Sequence, residues 1–213
     1  MATKADRPAR RGRPRKVDEA QLQDAFLDYC LGQFIALGYR NATVDALARG
    51  FGAGKSTIYA RYGSKAGLVR VAMERGVPLL LDPLAKVDAD PGRNPRDVLR
   101  EFGAVIQSYA CEPNIRAMWR AVSDAREDME NIETEVVALR DRILAPIVRY
   151  LAGLKESGSA RTANPHASAV LFGELVAGGL GQFLGVPPAP EEREEALDLA
   201  VDLFCHGMLV DIA

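Results

Sequence analysis

The sequence predicts an all-α protein: a small N-terminal three-helix unit carrying a helix-turn-helix, joined to a larger C-terminal helical domain. Three observations lead there. Apolar residues recur three and four positions apart through most of the chain, and no segment alternates like a strand. Clusters of Gly and Pro cut that periodicity into runs of helical length. Charge is also divided unevenly, since residues 1–75 hold 14 Lys or Arg against 7 Asp or Glu, and the remainder 13 against 22. Local charges of +7 and −9 hide behind a net charge of −2, so only the N-terminal end is suited to a polyanion.

Residues 1–17 form a basic arm in which Pro8, Gly12 and Pro14 prevent regular structure. It reads either as a solvated terminus or, beside DNA-reading helices, as an extended chain whose Arg13 and Arg15 enter a narrow minor groove. The first helix is expected from about Asp18, with Leu22, Ala25, Phe26, Tyr29, Phe34 and Leu37 on its buried side and Gly38 as a left-handed stop. Tyr39 reads as packing rather than as a DNA contact.

The stretch Thr43–Tyr62, TVDALARGFGAGKSTIYARY, contains two short helices and a tight turn. Thr43 can cap a helix whose Val44, Leu47 and Ala48 share one side, and Gly50, Gly52 and Gly54 precede a second run from Lys55. Ile58 and Tyr62 face inward on that run, which leaves Lys55, Ser56, Thr57 and Arg61 outward, the pattern of a helix-turn-helix. GAGKST invites a nucleotide-loop reading, but the glycine required five residues earlier is replaced by Arg49 and the preceding ALAR is not strand-like. An enzyme using Gly54, Lys55 and Ser56 on phosphate would also lack a nucleophile–base pair.

Residues 64–77 predict a connecting helix capped by Ser64, with Lys65 placed for a phosphate contact. Pro78 and the segment through Pro95 interrupt regularity, and helices follow at about 96–110, 114–125, 128–156, 165–184 and 191–211, with Pro146 a candidate kink. Glycines within 165–184 suggest close helix contacts. The last two helices are apolar over a broad arc, which fits an enlarged core or a subunit interface. A short reading helix favours the interface, because a two-fold dimer doubles its contacts on an inverted repeat. The interface candidates are Leu171, Leu175, Gly178, Leu197, Val201, Phe204 and Met208.

Cys30, Cys111 and Cys205 are too few and too dispersed for a disulfide framework, and His166 and His206 lack ligand spacing, so no metal or other cofactor is expected. No apolar signal core or bilayer-length run is present, and a cytoplasmic protein without membrane contact is expected.

Gly38-Tyr39, Thr43-Val44, Leu47-Ala48, Lys55, Thr57 to Tyr59, Tyr62 and Ser64-Lys65 together resemble the DNA-binding domain of the tetracycline-repressor (TetR) family. The resemblance implies a reader at 18–63, a connecting helix at 64–77, and an effector-binding and dimerisation domain at 78–213. It implies operator contacts by Thr43, Lys55, Thr57, Tyr59 and Lys65, with Tyr62 seating the reading helix. Ser56, Thr57 and Arg61 are candidates for base edges, Arg61 equally for phosphate. The function expected is a ligand-responsive, homodimeric repressor; an architectural DNA-binding protein without inducer is the alternative. For a small apolar effector the candidate walls are Phe102, Ile106, Tyr109, Trp119, Val122 and Phe172, each of which also reads as ordinary core. Phe51 and Ala53 depart from the family's turn, and Gly54 stands where a serine is frequent, so the operator is less transferable than the fold.

Overall fold

The computed structural model describes residues 16–177 and 189–210, and among them helices are the only regular elements apart from an isolated bridge between Ala160 and Leu209. The helices are α1 (Lys16–Asn41), α2 (Val44–Phe51), α3 (Lys55–Tyr62), α4 (Lys65–Gly76), α5 (Pro78–Ala85) and α6 (Pro95–Cys111). They continue with α7 (Pro113–Ala125), a 3-10 turn at Arg126–Asp128, α8 (Ile132–Glu156), α9 (Pro165–Ala177) and α10 (Pro190–Met208). None of these helices is long and apolar enough to cross a membrane.

Local chemistry sets these boundaries. Gly38 breaks α1 with φ 75° and ψ 159°, a backbone region that costs other residues more. The Thr43 hydroxyl accepts from Ala46 N at 3.2 Å and Ser64 Oγ from Gly67 N at 3.0 Å, so both expected caps form. Pro78, Pro95, Pro113, Pro165 and Pro190 each open a helix, where a missing N–H leaves no intrahelical bond unmade. That asymmetry explains α5, which the sequence reading left as irregular: Pro78 starts it and only Pro83 lies inside it. Pro146 lies within α8, which runs through it.

Two apolar cores hold the helices. The first joins Phe26, Leu27, Cys30 and Phe34 of α1 to Leu47, Ile58, Leu68 and Val69 of α2–α4, then continues into Met118, Ala121 and Val122 of α7 and Ile132 and Leu139 of α8. Phe26 stacks on Tyr62 with ring centroids 5.8 Å apart and meets Phe51 edge-on at 5.2 Å. Leu22, Ala25 and Leu37 are exposed rather than buried, off the face of α1 that α4 and α7 cover. The second core joins Leu80, Leu99, Phe102 and Ile106 to Ile147, Leu151, Phe172, Val176, Val201 and Phe204.

Helix α6 approaches α9 and α10 closely at Gly103, where a Cβ would stand 2.7 Å from Leu197 Cδ1 and 3.2 Å from Val176 Cγ1. Arg96–Asp202 and Arg100–Asp198 pairs, each 2.6 Å, run along the outside of the same contact. Such exposed pairs add little stability but fix register.

Candidate functional site

Helix α3 buries Ile58 and half-buries Tyr62, so Ser56, Thr57, Tyr59 and Arg61 are all left exposed. The outward polar face read from the sequence is therefore one contiguous surface. Gly54 precedes it with no side-chain cap, and its φ of −75° places no special demand for glycine.

Lys55 opens α3 and reaches back to α2, where its Nζ pairs with Asp45 Oδ1 at 2.6 Å. The hydrogen bond that Lys55 donates to Asp45, then the Asp45 charge, raises the Lys55 pKa, so the ammonium remains charged. It also lies 5.9 Å from the centroid of the Tyr59 ring. Both partners of the pair are about half exposed, so a phosphate can compete for Lys55 without meeting a buried charge. Asp45 had no signal of its own in the sequence beyond its place in the first turn of α2.

Lys65, expected at a phosphate, has partners within the chain. Its Nζ donates to Tyr39 O at 2.8 Å and sits 4.0 Å from the Tyr39 ring centroid, so the ammonium is turned into the protein. Burial lowers the Lys65 pKa, with the Asp128 charge opposing. Tyr39 is buried as expected, and its hydroxyl donates to Asp128 Oδ2 at 2.8 Å. Burial, and then Asp128, raise the Tyr39 pKa. Tyr39, Lys65 and Asp128 thus tie the start of α4 to the turn after α7. Arg70 adds a second tie to that region, pairing with Glu135 at 3.0 Å and donating to Glu130 O at 3.2 Å. Arg13 and Arg15 lie outside the described residues.

A cavity of about 710 Å³ opens between α6, α7, α8 and α9. Four of the six expected wall residues line it: Ile106, Tyr109, Trp119 and Val122. Phe102 and Phe172 instead sit in the second core, fully enclosed by neighbours. The rest of the wall includes Val136, Ile143 and Val170, together with Arg116, Arg120, Arg126, Arg140, Glu133 and Glu174, a charged component that apolar periodicity did not reveal. Tyr109 joins this wall to the connecting helix, since its hydroxyl donates to Gly76 O at the end of α4 with a length of 3.2 Å.

The expected interface residues divide by face. Leu197, Val201 and Phe204 pack into the second core of their own chain, and Met208 packs partly against it. Leu171 and Leu175 of α9 are exposed, while Gly178 lies outside the described residues. Leu199 and Leu203, each 60% exposed, form the outer apolar edge of α10 and were missed. Their four-residue spacing was visible, but so was that of the inward set.

Comparison with known proteins places both halves. Residues 27–72 match the model for bacterial regulatory proteins of the TetR family, and residues 97–207 match the C-terminal domain of AefR-like transcriptional repressors. No curated protein sequence matches. Among solved structures, a TetR-family regulator from Mesorhizobium loti MAFF303099 superposes with a TM-score of 0.75 at 16% identity, over 90% of this chain and 98% of that one. The flavonoid-responsive regulator FrrA gives 0.68 at 19% identity, over 89% and 98%. SmeT, solved with triclosan, gives 0.64 at 18% identity, over 90% and 93%. At these identities the likeness is one of fold.

Proposed function

The chain belongs to the TetR family of DNA-binding transcriptional regulators, and from that premise we propose a homodimeric repressor that binds an inverted-repeat operator and is released by a small molecule. The observation that carries this is the outer face of α3, where Ser56, Thr57, Tyr59 and Arg61 stand exposed on a helix seated through Ile58 and Tyr62. Lys55 exchanges Asp45 for a phosphate, Thr43 and Tyr59 fix register on the backbone, and Ser56 and Thr57 read base edges. Arg61 serves either role, Arg13 and Arg15 extend into adjacent minor grooves, and Lys65 acts by positioning α4.

A two-fold dimer supplies a second α3 to the next major groove, about 34 Å away. Leu171 and Leu175 on α9 with Leu199 and Leu203 on α10 support it, because each helix carries a pair of exposed leucines four residues apart. FrrA is named as flavonoid-responsive and SmeT was solved with triclosan, and an effector of that small, largely apolar kind fits the cavity lined by Ile106, Trp119 and Ile143. Release requires that the effector bind the DNA-incompetent arrangement more tightly. Two routes support coupling: Tyr109 to the end of α4, and residues 126–135, which line the cavity on one side and hold Tyr39 and Arg70 on the other.

The test is a footprint on DNA flanking the encoding gene with the unaltered protein, Lys55→Ala and Thr57→Ala. One protected inverted repeat is expected, lost at lower salt for Lys55→Ala and with relaxed base preference for Thr57→Ala. Unchanged protection by both variants would sink the assignment of α3, and a broad, sequence-independent footprint would support the architectural reading instead. Gel filtration at micromolar concentration checks the dimer, which a monomer with full operator affinity overturns.

A further inference from the structure

We infer that the cavity selects an amphipathic anion, an apolar body carrying one carboxylate, and that Arg116 is the side chain that recognises it. The inference rests on the cavity being the effector site and names the chemistry of its occupant. Arg116 lines the wall on α7, one helical turn before Trp119, and its Nη2 is buried without a hydrogen-bond partner. A dry guanidinium nitrogen with no acceptor is costly, and folded chains keep such a group where something else completes it.

The other charges of the wall are accounted for differently. Arg126 pairs with Glu133 at 2.6 Å and Arg140 with Asp141 at 3.0 Å. Among the described residues Arg120 and Glu174 have no ion-pair partner, but both are exposed, so water satisfies them at little cost. Arg116 alone therefore creates a demand for an acceptor inside the cavity. The Tyr109 hydroxyl donates its proton to Gly76 O and makes no hydrogen bond to Arg116 Nη2. Apolar residues of the same wall, among them Ile106, Trp119, Val136 and Ile143, suit the body of the ligand. A planar carboxylate matches the guanidinium in a way that an alcohol or amide does not.

The chain has a single tryptophan, Trp119, and it lines this cavity, so intrinsic fluorescence reads occupancy directly. The probes are decanoate, decanamide and decylammonium, which share a tail and differ in head-group charge. Decanoate is expected to bind roughly tenfold to a hundredfold more tightly than decanamide, the span of a charge-assisted hydrogen bond, and decylammonium more weakly than either. Arg116→Met should erase the preference while leaving decanamide affinity unchanged, with Arg116→Gln as a second variant should the first fold poorly. The unliganded variants should melt at the same temperature or higher, since a buried guanidinium nitrogen without a partner has been removed; a purely structural arginine would lower it. Equal binding of decanoate and decanamide, or a preference that survives in the Arg116 variants, overturns the anion assignment and leaves the cavity as an effector site. Absence of saturable quenching by all three probes overturns the cavity reading as well.

Discussion

The two cores of this protein differ in what they connect. The second is built from α5, α6, α8, α9 and α10 with Ala160 and Leu209, and its large side chains Phe102, Ile147, Leu151 and Phe172 are fully buried. The first crosses from the DNA reader into α7 and the beginning of α8, so the reader shares its apolar interior with the body. The cavity lies where the two meet: Val122, Ile132 and Leu139 of its wall belong to the first, and Leu80, Ile106 and Leu144 to the second. A ligand there would touch side chains of both packing units at once.

The largest expected effects test whether the first core is truly shared. Leu68→Ala and Leu151→Ala each remove a fully buried side chain, one from each core, and should each cost about 2–5 kcal/mol in urea unfolding. For Leu68→Ala, Trp119 fluorescence and far-ultraviolet circular dichroism should shift together, because Met118 and Ala121 beside Trp119 pack in the same core as Leu68. A reader that melts alone, with the Trp119 transition unmoved, would divide the molecule into independent halves.

The same contrast governs what could be read from the sequence. The reader was legible because its signals are local: Thr43 and Ser64 as caps, Gly38 as a stop, and Ile58 inward among polar neighbours. The cavity was only partly so, since periodicity reports that a side chain faces inward and says nothing of what stands opposite. Trp119 and Phe102 look alike on that basis, yet one lines a void and the other meets Tyr150 and close-packed aliphatics. Likewise α10 carries leucines on two faces, and the choice between Leu197 inside and Leu199 outside depends on where α6 and α9 lie. The contact of Lys65 with Tyr39 was not legible, because the carbonyl that accepts from it lies 26 residues earlier. Arg116 offered no sequence signal at all.

Next in size are changes at the joint between reader and body. A Cβ on Gly67 would stand 1.9 Å from the backbone oxygen of Tyr62, so Gly67→Ala must displace the α3–α4 turn. A loss of roughly 1–3 kcal/mol is expected, with weaker operator protection. Gly50→Ala gives the internal comparison: its Cβ would also come within 1.9 Å, but of the Tyr29 hydroxyl, the far end of a side chain that can turn aside. If both alanines cost the same, the joint is softer than its geometry indicates.

Tyr39→Phe should cost roughly 1.5 kcal/mol near neutral pH by removing the hydrogen bond to Asp128, with thermal or urea unfolding as the measure. Its pH dependence has a defined sign. Because the folded-state pKa of Tyr39 is raised, the folded chain holds that proton more tightly than the unfolded chain does. Its contribution is complete below the unfolded value of about 10 and is lost as pH rises above it. The gap between wild type and Tyr39→Phe should therefore narrow in alkaline solution. A gap that is constant or widens above that pH would remove Tyr39 from the tie between the reader and residues 126–135.

The smallest expected change in stability falls on the reading surface itself. Gly54 holds the N-cap of α3 in an ordinary extended conformation, so Gly54→Ser can supply the missing side-chain acceptor and should gain only a few tenths of a kcal/mol. Its Cβ would lie 3.2 Å from Thr57 Oγ1, which obliges that hydroxyl to move slightly. The melting temperature should stay nearly constant while base preference in the footprint changes at the position Thr57 reads. A change confined to melting would mean that Thr57 does not contact bases; a change confined to preference would identify the start of α3 as a surface that tunes recognition independently of both cores.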